Sequence, residues 1–211
     1  MSQMIHQNQP LMQAGAPLAQ AKAAMILLNG RGASAEDILA LAREFTAVDV
    51  AFLAPQAAGH TWYPNRFIAP VATNEPHLSS ALETIGNLVA GANAAGRAHD
   101  HIFLLGFSQG ACLALEYAAR HPRRYAGVIA LSGALIENGD QPRAYSGSLD
   151  GTPIFLGCSD ADFHIPAQRV LRSEQVLRGM GAHVTAKLYP HLGHTVNDDE
   201  IDAVNTMLAR G

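Results

Sequence analysis

Gly106-Phe107-Ser108-Gln109-Gly110 sets a lone serine between two glycines, with an apolar run, Ile102 to Leu105, before it and an alanine- and leucine-rich stretch, Ala111 to Arg120, after it. The run reads as a buried strand and the stretch as a helix. A serine on a sharp strand-to-helix turn projects its hydroxyl outward, and the strained backbone there needs small neighbours. The pentapeptide alone fits an inert glycine-lined loop as well as a nucleophile. Its flanks favour the nucleophile.

A serine hydroxyl attacks a carbonyl only when a histidine takes its proton, and that histidine needs a carboxylate to fix its tautomer and balance its charge. Both partners should follow the serine in chain order, each at the end of a strand. The strand ending at Gly157 leads into CSDADFHIP, which offers Asp160 and Asp162. The strand ending at Tyr189 leads into PHLGHTVNDDE, which offers His191 and His194. His194 is the stronger base, because Gly193 before it lets a loop carry the ring to the serine; His191 reads as a surface histidine. As a metal motif His191-x-x-His194 lacks a third ligand cluster, and Asp198, Asp199 and Glu200 read as the solvated start of a helix. No metal or cofactor is expected.

Acyl transfer also needs two backbone N–H groups aimed at the developing oxyanion. Gln109, the residue after the serine, supplies one by position. Asn29-Gly30-Arg31-Gly32 follows the first firm strand, and its glycines allow the Arg31 amide to supply the other.

The elements that must position these groups alternate along the chain. Strand-like runs lie at Ala24 to Asn29, Val48 to Ala54, Val128 to Leu131, Ile154 to Leu156 and His183 to Leu188. Helical patterns begin at Ser34, with Asp37 as a capping partner, and cover His77 to Ala98, Gln168 to Arg178 and Ile201 to Ala209. Alternating strands and helices call for a mostly parallel sheet with helices on both faces, whose ligands bind beyond the carboxyl ends of the strands. Residues 1–20 read as an N-terminal arm or edge strand, and 21–211 as one domain.

The 211 residues carry a net charge of -4, 48% hydrophobic and 15% charged residues, which fits a folded domain and offers no basic face for nucleic acid. No run reaches the roughly 20 apolar residues that span a bilayer, and the N-terminus lacks the pattern of a signal peptide. With two cysteines, Cys112 and Cys158, the expected compartment is the cytoplasm. Monomer and homodimer are both compatible with the sequence.

LLNGRGASAEDIL, GFSQGACLALEYA, GVIALSGAL, the D-x-x-I-P of Asp162 to Pro166, and GHTVNDDEI together resemble the phospholipase/carboxylesterase family of small α/β-hydrolases, which includes acyl-protein thioesterases. The resemblance covers about residues 20–210. It implies an α/β-hydrolase fold without a separate cap domain, Ser108 as nucleophile, His194 as base, and Arg31 and Gln109 as oxyanion donors. Relatives usually carry histidine where Asn29 stands, and a shorter turn before the acid. Counting back from Pro166 selects Asp162; counting forward from Gly157 selects Asp160. Asp162 is the favoured acid, and Asp160 the alternative.

PQAAGHTWYPNRF, Pro55 to Phe67, lies in a connection longer than compact domains need, and such loops are commonly functional. Trp62, Tyr63 and Phe67 are expected to wall an apolar acyl pocket, with a loop pinned to the core by its aromatics as the equal alternative. The resulting expectation is a serine esterase for small-molecule carboxylic esters or thioesters with a small-to-medium acyl chain. The alternatives are a lysophospholipase or acyl-protein thioesterase, and a non-catalytic relative that binds a small ligand in the same cleft.

Overall fold

The apolar runs pair into a seven-stranded sheet in the computed structural model, which describes residues 4–139, 141 and 143–210. In chain order the elements are β1 (Leu11–Gly15), β2 (Ala23–Leu28), α1 (Ala35–Ala40), β3 (Val50–Pro55), α2 (His77–Ala94), β4 (Ile102–Phe107), α3 (Gln109–Arg120), β5 (Gly127–Leu131), β6 (Pro153–Ser159), α4 (Ala167–Gly179), β7 (His183–Tyr189) and α5 (Asp198–Leu208). Strand order is β1-β3-β2-β4-β5-β6-β7, parallel throughout except for β1, which runs antiparallel to β3 with Leu11 opposite Pro55. This is the α/β-hydrolase fold.

Strands covered on both faces need apolar side chains at every position, which is why β2 and β5 read as continuous runs instead of alternating patterns. Ala24, Ile26 and Leu28 of β2 point to one core, shared with α2, α3 and α4. Ala23, Met25 and Leu27 point to the other, shared with α1 and α5. Ser34 and Asp37 form the expected capping box at the start of α1.

The strands that carry the site are longer than their apolar runs. β4 continues past Leu105 because Phe107 still pairs with Leu131, and β6 continues past Leu156 because Ser159 still pairs with Tyr189. Conversely α2 stops at Ala94, where Gly96 turns the chain at φ +87° and its N–H closes onto Asn93 O. The 55–75 connection contains only two single 3₁₀ turns, Ala58–His60 and Val71–Asn74. Of the N-terminal arm, Leu11–Gly15 forms the edge strand, while residues 1–3 lie outside the described residues.

After β2 the chain crosses to β3 on one side, and after β3 it crosses back to β4 on the other. Loops leaving β2 and β4 therefore diverge, which opens a crevice at the carboxyl ends of these two strands. Among the described residues no helix is long and apolar enough to cross a membrane.

Candidate active site

Ser108 stands at that crevice. It follows β4 directly, its N–H donates to Leu131 O at 2.9 Å, and its carbonyl accepts the Cys112 N–H at 3.1 Å, starting α3. Satisfying both bonds forces the backbone to φ 54°, ψ −116°, a region costly for a residue with a Cβ. The turn is so tight that a Cβ on Gly106 would stand 2.2 Å from Gly110 C, and one on Gly110 would stand 2.1 Å from Leu28 O. Only glycine fits at either place.

Three side chains meet in a line. Ser108 Oγ lies 2.9 Å from His194 Nε2, and His194 Nδ1 lies 2.6 Å from Asp162 Oδ2. Asp162 is buried, and its other oxygen accepts the N–H groups of His164 at 2.8 Å and Ile165 at 3.0 Å. Burial by itself would raise this carboxyl, but the bonds from His194 and from the two backbone amides outweigh it and hold the group below the usual carboxylate range. An ionised Asp162 keeps the imidazole proton on Nδ1 and leaves Nε2 as the acceptor facing the hydroxyl. The ring itself is held between Phe107, at a centroid distance of 5.0 Å, and His164, at 4.7 Å.

Asp160 is exposed and turned elsewhere: its Oδ1 accepts the His191 N–H at 2.9 Å. It ties down the 190–193 turn, as does Ser159 Oγ, which accepts the Gly193 N–H at 3.1 Å. Exposed His191 is not brought to the serine.

Gln109 and Arg31 carry the loops around the hydroxyl. The Gln109 side chain accepts the Trp62 N–H at 2.8 Å and donates to Tyr63 O at 2.8 Å. The Arg31 guanidinium donates to the carbonyls of Tyr63, Pro64 and Asn65 at 2.8 to 3.0 Å. Among the described residues neither the Gln109 nor the Arg31 backbone N–H has an acceptor, as an amide reserved for a ligand would be. Asn29 keeps the Arg31 loop closed by donating to Gly30 O and Ala33 O at 2.9 and 2.8 Å.

A cavity of about 500 Å³ opens over Ser108 and His194, floored by Tyr63, Phe67, Cys112 and Ile165 and rimmed by Asn65, Arg66 and His164. A second depression of about 420 Å³ lies beyond Phe107 and His194, with Ile38, Leu41 and Val196 in its wall. A larger cavity, about 710 Å³, lies between α2, the end of α3 and residues 143–146, and none of the three aligned side chains lines it. Burial raises the Cys112 thiol to about 12, which leaves it an uncharged part of the floor.

Trp62 corrects the sequence-based expectation. It is fully buried outside the cavity, its indole N–H donates to Asn29 O at 3.0 Å, and its ring packs 5.3 Å from His6. A large amphipathic ring with a satisfied N–H is a scaffold member, and only Tyr63 and Phe67 reach the cavity. Sequence reasoning passed over Phe107, His164, Arg66 and Ser159. His164 had one signal, its place two residues after a candidate acid; nothing local marks the others.

The arrangement can deprotonate a hydroxyl, receive an oxyanion and accommodate an apolar group, and comparison with known proteins bears on what uses it. A family model described as Phospholipase/Carboxylesterase matches residues 13–210. A phospholipase/carboxylesterase from Dyadobacter fermentans superposes with a TM-score of 0.91 at 40% identity, over 96% of this chain and 97% of that one. A probable carboxylesterase of Oryza sativa is 29% identical over 63% of this chain and 57% of its own length. Acyl-protein thioesterase 1 of Gibberella zeae is 28% identical over 59% of this chain and 54% of its own. The chain thus spans about half the length of the curated relatives it matches. The extent of the family match and the full-length likeness to the Dyadobacter protein establish that this chain belongs to the phospholipase/carboxylesterase family.

Proposed function

We propose that this protein is a serine hydrolase that cleaves carboxylic esters or thioesters of small-to-medium acyl chains through an acyl-enzyme. The observation that carries the reading is the line Ser108 Oγ, His194 Nε2 at 2.9 Å, and Asp162 Oδ2 at 2.6 Å from His194 Nδ1. Family membership and relatives named carboxylesterase and acyl-protein thioesterase support the same chemistry.

His194 accepts the Ser108 proton as Oγ adds to the substrate carbonyl, and the negative charge moves onto the carbonyl oxygen. The backbone N–H groups of Gln109 and Arg31 receive that oxyanion. Collapse breaks the bond to the alkoxide or thiolate, which takes the proton from His194. Water then enters, gives a proton to His194 and adds to the acyl carbon; a second collapse releases the acid and returns the proton to Ser108. Asp162 stabilises the imidazolium in both halves without taking its proton. The floor of Tyr63, Phe67 and Ile165 favours an apolar acyl group, and the exposed rim at Pro64, Asn65 and Arg66 leaves water free access, which favours hydrolysis over transfer.

A screen of p-nitrophenyl esters from acetate to palmitate, run beside palmitoyl-CoA and a lysophospholipid, tests the reading. It predicts the highest kcat/KM for short or medium esters. Turnover of the lysophospholipid or of palmitoyl-CoA alone would move the assignment to a lysophospholipase or long-chain thioesterase.

A further inference from the structure

The cavity over Ser108 has an uneven charge. Arg31 and Arg66 both line it, and no carboxylate does among the described residues; Asp162 lies behind His194 and is bonded to it. Neither arginine forms a salt bridge among the described residues. Arg31 spends its guanidinium on three loop carbonyls, which leaves its charge in the wall but few free donors.

Arg66 differs. It reaches from the 55–75 connection to the loop between β6 and α4, where Nη2 donates to His164 O at 3.2 Å. Among the described residues that is the one hydrogen bond of its guanidinium, so Nε and Nη1 are without protein acceptors at the cavity rim. The position fits a planar cation that exchanges one weak carbonyl contact for a bidentate pair with an oxyanion. An apolar floor below a cationic rim describes a ligand with an apolar middle and an anionic end.

On the proposed hydrolase reading, we infer that Arg66 is a specificity residue and that the preferred substrates are esters carrying an oxyanion, a carboxylate or a phosphate, away from the scissile carbonyl. Arg31 adds background positive charge, and Arg66 makes the contact. The anion can sit at the far end of the acyl chain or on the departing alcohol, and the two sources are separable by experiment.

Mono-p-nitrophenyl adipate is compared with its neutral methyl ester, and 1-butyrylglycerol 3-phosphate with 1-butyrylglycerol. The inference predicts that at least one anionic member is favoured about threefold or more in kcat/KM, through KM, as befits a partly screened ion pair. The advantage should shrink between low and high salt. Arg66→Gln should bring the ratio close to one, and Arg66→Lys should keep part of it. Whichever pair shows the effect identifies the source of the anion. Equal rates in both pairs, or a preference that survives Arg66→Gln, overturns the inference. Titrating the Ser108→Ala protein with the same intact esters reads the ratio as Kd without turnover, so the anion contact is decided even if the hydrolase reading fails.

Discussion

Asp162 and Asp160 stand two residues apart and carry different tasks. Asp162 accepts from His194 and from two backbone amides, while the Asp160 carboxylate accepts, among the described residues, only from the His191 amide. An asparagine at 162 presents either an amide N–H or a weaker neutral acceptor to His194, so the imidazole loses the tautomer that leaves Nε2 free. Asp162→Asn should cut kcat by roughly 10⁴, the scale for a triad acid. Asp160→Asn retains a carbonyl acceptor for His191 and should stay within a few-fold of the parent. Steady-state kinetics on the two proteins, with circular dichroism as a folding check, separates them; the reverse order of losses would make Asp160 the acid. Ser108 and His194 are legible in the sequence because a nucleophile turn and a glycine-preceded histidine are local patterns. The acid is legible only as a preference: the spacing to Pro166 favours Asp162 and the spacing from Gly157 favours Asp160, because residues 160–165 form an irregular turn and its path decides which carboxylate points inward. Trp62 is ambiguous for a related reason: an aromatic in a long loop has the same composition whether it faces a ligand or the core.

The elements were legible where burial makes a periodic or continuous pattern. β2, β4 and β5 lie between two helical layers and are apolar throughout, and α1 begins at the capping box its serine and aspartate announce. β1 was ambiguous because five mostly exposed residues at a sheet edge leave no pattern. The last residues of β4 and β6 were missed because pairing with β5 and β7, rather than hydrophobicity, extends them. The junction of β4, Ser108 and α3 depends on the absence of a side chain at Gly110, whose Cβ would meet the backbone of β2. A main-chain oxygen in a central strand cannot move aside as a flexible side chain can. Gly110→Ala should therefore cost about 3 kcal/mol or more, as severe overpacking does, and lower Tm by roughly 10 °C for a chain of this size. Calorimetry checks this; an unchanged Tm would show that β2 and α3 are less tightly apposed than described.

Across the whole molecule, the loop that carries His194 is fixed to the sheet by a buried acid. Glu200, fully buried at the start of α5, accepts the Asn197 N–H with one oxygen at 3.0 Å, and its other oxygen faces Gly157 of β6 without a partner among the described residues. Burial raises this carboxyl from 4.5 to about 7, with the Asn197 N–H opposing and the Asp199 charge adding to the rise. Below 4.5 the group is protonated in both folded and unfolded chains and has no effect. Between these values the folded chain binds the extra proton, so stability falls as pH rises, by about 3 kcal/mol once the folded group has ionised. Glutamine keeps the acceptor for Asn197 and never ionises. The Tm of Glu200→Gln should accordingly gain on that of the parent between pH 5 and 8; a constant difference would mean that Glu200 is already charged at pH 5. The central claim, that a single activated hydroxyl at Ser108 performs the chemistry, is open to one direct measurement: intact-protein mass after exposure to a fluorophosphonate, followed by peptide mapping. The account predicts one adduct per chain, on the peptide containing Ser108, formed in step with loss of esterase activity and absent from Ser108→Ala. Continued ester hydrolysis by an unmodified chain, or an adduct on another residue that tracks the loss of activity, would contradict it.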